Sequence, residues 1–227
     1  MINSLTVMTS RRAYDGRGVI VAADPYRKIE AGWLVEYGLT REVTLIANPV
    51  VRDIALESAE GAVAGRGLSS FEVGARWRLL DHMDHAVSFQ ALTRIPAKTD
   101  PILPFENRPR TELRFGYGVP ARINGKPGFV DSSIAWVKRH ELQADEVRFE
   151  MTYGWWQRRD RMLLVQYFNT LYPGSGLPRD PRQHKIQSST VYKLNDEWSV
   201  QFGSFFTRGG LQTRRERGTL MAVWRSF

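Results

Sequence analysis

Residues 147–156 read Val147-Arg148-Phe149-Glu150-Met151-Thr152-Tyr153-Gly154-Trp155-Trp156. Val147, Phe149, Met151, Tyr153 and Trp155 are apolar or aromatic, and Arg148, Glu150, Thr152 and Gly154 between them are charged, hydroxylic or small. A period of two places the two sets on opposite faces of an extended strand. The same period runs through 29–39, where Ile29, Ala31, Trp33, Val35, Tyr37 and Leu39 alternate with Glu30, Gly32, Leu34, Glu36 and Gly38. It returns in 68–80, with Phe71, Val73, Ala75, Trp77 and Leu79 against Glu72, Gly74, Arg76 and Arg78. Shorter runs repeat it at Leu113, Phe115 and Tyr117 and at Trp198, Val200 and Phe202. Helical periodicity is nearly absent, so the chain reads as half-buried antiparallel strands.

The links between the strands carry the topology. Strands are expected at 29–39, 43–48, 68–80, 86–95, 112–118, 129–138, 147–156, 162–171, 184–194, 198–207 and 219–227. Tight turns at Thr40-Arg41-Glu42, at Asn124-Gly125 and at Asn195-Asp196-Glu197, with short links at 81–85 and 157–161, alternate with longer segments at 49–67, 96–110, 139–146, 172–183 and 208–218. One more strand, either 4–9 or 18–23, brings eleven to twelve. An even count puts both ends of the chain on one rim, every short turn on that rim and every long loop on the other. Outer-membrane barrels sort their links in this way, with short periplasmic turns and longer external loops.

Pattern alone does not say which face is inside, so composition decides. Trp33, Tyr37, Trp77, Trp136, Tyr153, Trp155, Tyr192, Trp198 and Trp224 lie towards strand ends within the apolar sets, as aromatic girdles at two membrane interfaces require. The opposite face mixes Glu30, Glu36, Glu72, Glu112, Asp131 and Glu150 with Arg76, Arg78, Arg94, Arg114 and Arg148, the chemistry of a polar lumen rather than of a lysine-rich solvated surface. The expected fold is therefore a single antiparallel up-and-down transmembrane β-barrel of about twelve strands spanning 1–227. Both termini are expected to be periplasmic, with the first strand inside 1–26. The eleven charged residues just named are the expected lumen lining.

The chain's 227 residues suit one barrel domain. No stretch approaches the ~18 uninterrupted apolar residues of a membrane helix. The absence of cysteine excludes disulfides, thiolate metal sites and a cysteine nucleophile. No secretory signal follows Met1, so the expectation is a cytosolic protein or a mature chain freed of its leader. The net charge is +8, and 26 of the 32 basic residues are arginine. Either GC-rich coding or a need for planar donors to carboxylate and phosphate accounts for that bias.

The last strand, Thr219-Leu220-Met221-Ala222-Val223-Trp224-Arg225-Ser226-Phe227, resembles the C-terminal sorting signal of Gram-negative outer-membrane proteins, in which an aromatic residue closes an alternating strand. That resemblance implies recognition by the barrel-assembly machinery through the strand ending in Phe227, although Arg225 stands where the family usually places an apolar or aromatic side chain. The segment Glu36-Tyr37-Gly38-Leu39-Thr40-Arg41-Glu42-Val43-Thr44-Leu45 is similar to the outer-membrane family associated with phenol-degradation (meta-pathway) operons. It implies an outer-membrane barrel that passes small molecules, and it supplies no catalytic residues.

Other polar clusters are weaker signals. His82 and His85 share a turn with Asp81 and Asp84, a poor scaffold for a rigid metal site. His140 and His184 lie on the long-loop side near Asp145, Asp180, Ser188 and Ser189, with no spacing that joins a nucleophile to a base, so no enzyme is expected. The glycine-rich pieces lack the context of a phosphate loop. No cofactor and no metal are expected. Arg139, Arg182, Lys185, Arg214, Arg215 and Arg217 map to the long-loop side and are expected to face lipopolysaccharide, whose phosphates suit arginine forks. Nucleic acid is not expected, because no binding module is visible and the aromatics stand on the face opposite the charges. The favoured function is passive passage of a small, unidentified solute across the bacterial outer membrane. The alternatives are a plugged barrel that is structural or contacts lipid, and a soluble barrel that binds an anionic partner.

Overall fold

The computed structural model describes residues 1–58, 61–82, 84–97, 109–123, 125–139 and 144–226. Its strands are β1 (Ile2–Tyr14), β2 (Ile20–Gly38), β3 (Val43–Ser58), β4 (Gly61–His82), β5 (His85–Pro96), β6 (Arg110–Ile123), β7 (Lys126–Arg139), β8 (Glu146–Arg158), β9 (Arg161–Leu171), β10 (Arg182–Lys193), β11 (Trp198–Leu211), β12 (Thr213–Arg214) and β13 (Arg217–Arg225). β12 and β13 are two pieces of one stave, for both pair with β1, at Ala13↔Arg214 and from Thr9↔Arg217 to Ile2↔Trp224. Each other stave pairs antiparallel with its neighbours in sequence, and β1 also pairs with β2, so the twelve staves close into a barrel. Closure leaves no edge strand to seek a partner.

The expected strands are present. Residues 4–9 belong to β1 and form the first stave, while 18–23 lead into and begin β2. Two expected loops are instead strand. Most of 49–67 continues β3 and β4, and 208–218 is largely the end of β11 with β12 and the start of β13. In the first case β3 keeps its phase but carries apolar Ile46, Val50 and Ile54 inward as well as apolar residues outward. The extra residue Ser69 opposite Val50 and Val51 breaks the phase of β4, and the run of Gly61, Gly65 and Gly67 supplies no side chains to mark a face. Asn124, most of 96–110, His140 and Phe227 lie outside the described residues, and with Phe227 the assembly signal read from the sequence.

The wall has its apolar side outward. Thirty large apolar side chains are exposed among the described residues, among them Trp33, Phe71, Trp77, Phe115, Trp136, Phe149, Phe202 and Met221. Leaving one such side chain in water rather than burying it costs about 1.5–3 kcal/mol. Four of the thirty (Val19, Leu39, Leu177 and Leu194) lie in turns or loops, but even at half exposure the 26 on strands outweigh a typical net stability of about 5–15 kcal/mol, so this face suits a lipid environment. Across β4, β5 and β6 near the short-turn rim, Trp77 stacks on Phe89 and Phe89 meets Phe115 at a tilt, with ring centroids 5.9 and 5.0 Å apart. Trp224 departs from the expected girdle. It points inward, where its Nε1–H donates to Gln201 Oε1 at 3.1 Å.

Candidate functional site: the charged lumen

The inward face has three walls of different chemistry. On the first, β7 lies between β6 and β8 and presents Ser133, Ala135 and Val137, of which Ala135 is 1% and Val137 0% exposed. These short side chains leave room for the long ones of β6 and β8 to meet over them. Arg114 donates through Nε to Glu112 at 2.7 Å, to Ser133 Oγ at 2.9 Å, and through both Nη atoms to Glu150, one of those bonds measuring 3.1 Å. Arg148 donates to the other oxygen of Glu112 at 3.0 Å and to Glu146 at 2.8 and 2.5 Å. Arg139 pairs with Glu146, and Arg110 approaches it at 3.8 Å. Four arginines and three glutamates thus form one chain along the wall.

The second wall, β2 to β4, holds smaller groups. Arg52 and Lys28 share Glu30, at 3.0 and 3.4 Å. Asn48 donates to Glu72 at 3.0 Å, and Arg76 meets Glu36 at 3.0 Å nearer the short-turn rim. The third wall, β9 to β11, carries amides beside the Lys185–Glu216 pair. Gln187 donates to Gln166 at 2.7 Å and Gln166 to Thr152 at 3.1 Å, while Gln201 donates to Ser189 at 2.8 Å and accepts from Trp224.

These walls surround a cavity of about 690 Å³ lined by residues from staves all around the barrel. Lys28, Arg52, Arg94, Arg110, Arg139, Arg148, Lys185 and Arg214 line it against Glu30, Glu72, Glu146, Glu150 and Glu216. A second cavity of about 450 Å³, at the short-turn end, includes Asp131, Thr152 and Phe129. Glu150 borders the first cavity and Thr152, two residues further along β8, the second. The Arg114–Glu150 pair therefore stands between them. Beside this lower space Met162, Leu164 and Val191 form an inward apolar cluster with Phe129, Trp156 and Trp224. Gly154 makes room for it, since a Cβ there would lie 2.4 Å from the Phe129 ring and 2.9 Å from Leu164.

Of the residues expected in the lumen, Glu30, Glu36, Glu72, Arg76, Arg94, Glu112, Arg114, Asp131, Arg148 and Glu150 occupy inward positions in or beside these cavities. Arg78 keeps the same inward phase, opposite Ser88, but it stands at the short-turn rim outside the two cavities, 2.7 Å from Asp81 and with its side chain 55% exposed. Three residues expected to face lipopolysaccharide point elsewhere. Arg139 is held by Glu146, Lys185 by Glu216 at 2.6 Å, and Arg214 lies over the Tyr26 ring at 4.9 Å, all three lining the cavity. Each belongs to a strand rather than a loop, and its position in the strand turns it inward. Arg182, Arg215 and Arg217 are exposed.

The other clusters disperse. His184 shares a 2.7 Å hydrogen bond with Tyr167, whereas Ser189 faces inward to Gln201. Asp145 accepts from Lys138 and from the backbone N–H of Arg139, and His85 meets Tyr117 at 2.7 Å. In the loop after β9, Asp180 accepts from Ser175 N–H at 3.2 Å and Ser175 Oγ–H at 3.1 Å. The backbone bond above all holds its carboxyl below the ordinary value of 3.8. No three His, Asp or Glu side chains come together to hold a metal among the described residues.

Arg52, Glu146 and the glutamine pairs were not singled out from the sequence. Arg52 fell in a segment read as loop, and Glu146 closed another. The inward side of β9 mixes Met162, Leu164 and Phe168 with Gln166, which hides the polar face that strict alternation would have exposed.

No protein-family model and no curated protein matches the chain. Solved structures do resemble it. An outer membrane channel from Pseudomonas putida F1 superposes with a TM-score of 0.73 at 13% identity, over 100% of this chain and 94% of that one. The fold is an outer-membrane barrel. The NanC porin gives 0.58 at 9% identity over 98% of this chain and 100% of its own. The translocator domain of the autotransporter NalP from Neisseria meningitidis gives 0.55 at 9% identity, over 100% of this chain and 88% of that one. Channel, porin and translocator share the architecture at identities this low, so function has to be argued from the lumen.

Proposed function

We propose that the protein resides in the bacterial outer membrane, with its termini and short turns in the periplasm, and passes small polar solutes passively with a preference for anions. The observation that carries this reading is the main cavity, where eight cationic side chains face five carboxylates among the described residues. In a confined space with low-dielectric walls, such an excess concentrates anions and repels cations. The glutamines of β9 to β11 add uncharged hydrogen-bonding groups to this lining. The similarity of residues 36–45 to the phenol-degradation outer-membrane proteins supports a distant kinship with that family and traffic in small molecules.

A second reading, a barrel closed at its periplasmic end, is favoured by one observation. The Arg114–Glu150 pair and the apolar cluster around Trp156 and Trp224 lie between the main cavity and the short-turn rim. Single-channel recording of the refolded full chain in a planar bilayer separates the two. Conductance steps whose reversal potential in a salt gradient lies towards the chloride potential are expected. Silence from correctly folded protein supports the closed barrel, and cation preference rejects the anion reading.

A further inference from the structure

Outside the lumen, the first stave carries a cluster of arginines that the channel does not use. β1 loses regular pairing on both sides at the same level. Its register with β2 shifts between Ser10 and Arg12, and its ladder with β13 ends at Thr9↔Arg217 before resuming with β12 at Ala13↔Arg214. The result is a notch of about 1010 Å³ in the wall, lined by Arg11, Arg12, Arg27, Arg215 and Arg217. Thr9 lies laterally between Arg27 on β2 and Arg217 on β13, which places the α-carbons of those two arginines roughly 10 Å apart. All five arginines are exposed.

The local carboxylates do not balance them. Asp53 is 3.8 Å from Arg27, Glu57 stands at the edge of the notch, and Glu216 is taken by Lys185 at 2.6 Å. Arg11, Arg12, Arg215 and Arg217 have no ion-pair partner among the described residues. Planar guanidinium forks gathered without carboxylates suit phosphate oxygens. The position adds a second requirement. On the outer face directly below Thr9, towards the short-turn rim, run Val7 and Leu5 of β1 and Met221 of β13, and Leu5 and Met221 are exposed apolar side chains. The notch thus lies at the upper margin of the lipid-facing belt, in the half away from the termini. A ligand that fills both parts has a phosphate head and apolar chains.

We infer that the Arg11, Arg27, Arg215 and Arg217 notch is a binding site for a phosphorylated glycolipid of the outer leaflet, with lipid A phosphate between the guanidinium groups and acyl chains along Leu5 and Met221. The site lies on strand faces, a bulge and the two-residue break between β12 and β13. It rests on the outer-membrane reading given above, but not on an open lumen.

The test uses the full chain refolded in detergent, incubated with phosphorylated lipid A and analysed by native mass spectrometry. One lipid A is expected to remain bound, and lipid A stripped of its phosphates is expected to be lost. Changing Arg11, Arg27, Arg215 and Arg217 together to Gln should weaken retention by about tenfold or more. If that variant does not refold, as judged by its heat-dependent gel mobility, the single changes R11Q and R217Q take its place, each with a smaller loss. Undiminished retention in the folded variants overturns the site. Displacement of the lipid by millimolar inorganic phosphate also overturns it, because the notch would then be a general anion site. A barrel that holds lipid A without conducting refutes the channel and leaves this site standing. One that conducts and ignores the phosphates refutes this site alone.

Discussion

Replacing Glu146 by glutamine removes a negative charge from the centre of the arginine–glutamate chain while keeping the side chain's shape. Glu146 is 1% exposed, accepts from Arg148 at 2.8 and 2.5 Å, and is also approached by Arg139 and Arg110. Breaking a buried ion pair by removing one partner costs about 3–5 kcal/mol, because the other charge stays buried without compensation. Glutamine keeps one acceptor oxygen, and Arg148 keeps Glu112 at 3.0 Å. The lower end of that range, about 3 kcal/mol, is therefore expected, roughly a hundredfold in the folding equilibrium. The control is Glu36→Gln. Its pair with Arg76 is 3.0 Å long, with the two side chains 37% and 36% exposed, and pairs in that environment contribute about 0–1 kcal/mol. Urea unfolding of both variants and the parent, followed by tryptophan emission, gives the comparison. The double change Glu146→Gln with Arg139→Gln should recover part of the loss, since it removes a cation that the first change left exposed to its neighbours. If Glu146→Gln loses no more stability than Glu36→Gln, the arginine–glutamate chain does not hold the wall together.

Gly154→Ala pushes a methyl group towards the Phe129 ring and Leu164, so a loss of about 1–3 kcal/mol is expected in the same urea titration. An unchanged midpoint would mean that the inward apolar cluster is loosely packed. Asp180 in the loop after β9 should titrate below 3.8, since Ser175 N–H holds its charged form. Its folded value is depressed, so its contribution to loop order is complete above the unfolded value and is lost as pH falls through the folded one. Amide exchange at Ser175 should accelerate over that acid range, and a carboxyl titrating at or above 3.8 in an NMR titration refutes the linkage.

Strand identity, stave number and the outward aromatic face were legible because each depends on local alternation. The lining positions Glu112, Arg114, Arg148 and Glu150 follow from the same period. What alternation could not deliver were the places where it breaks. The apolar inward positions Ile46, Val50 and Ile54 hid most of β3 and with it Arg52, the extra residue Ser69 broke the phase of β4, and the bulge at Ser10 opened the arginine notch. Lys185 lay inside an expected strand, on the inward parity of Gln183 and Gln187, whereas Arg139 and Arg214 were misplaced for a related reason. Where a strand runs past its expected end, its terminal residues follow the strand's in-and-out rule instead of a loop's freedom. Bulges leave no composition signature, and at Ser10 one of them sets where the notch arginines gather.

The seam along β1 also has a kinetic meaning. Residues 2–9 pair with 217–224 across the longest sequence separation in the barrel, so the entropic cost of closure is greatest here and this contact is expected to form last. It is also interrupted, with regular pairing absent between Thr9 and Ala13 on the β12–β13 side. A barrel whose last-closing joint is its least continuous one should come apart there first. The unfolding rate, rather than the equilibrium stability, would then report on whatever bridges that joint. The backbone bonds from Met1 to Arg225 at the bottom and from Arg215 to Arg12 at the gap, at 2.8 and 2.9 Å, act as the two clasps of that joint.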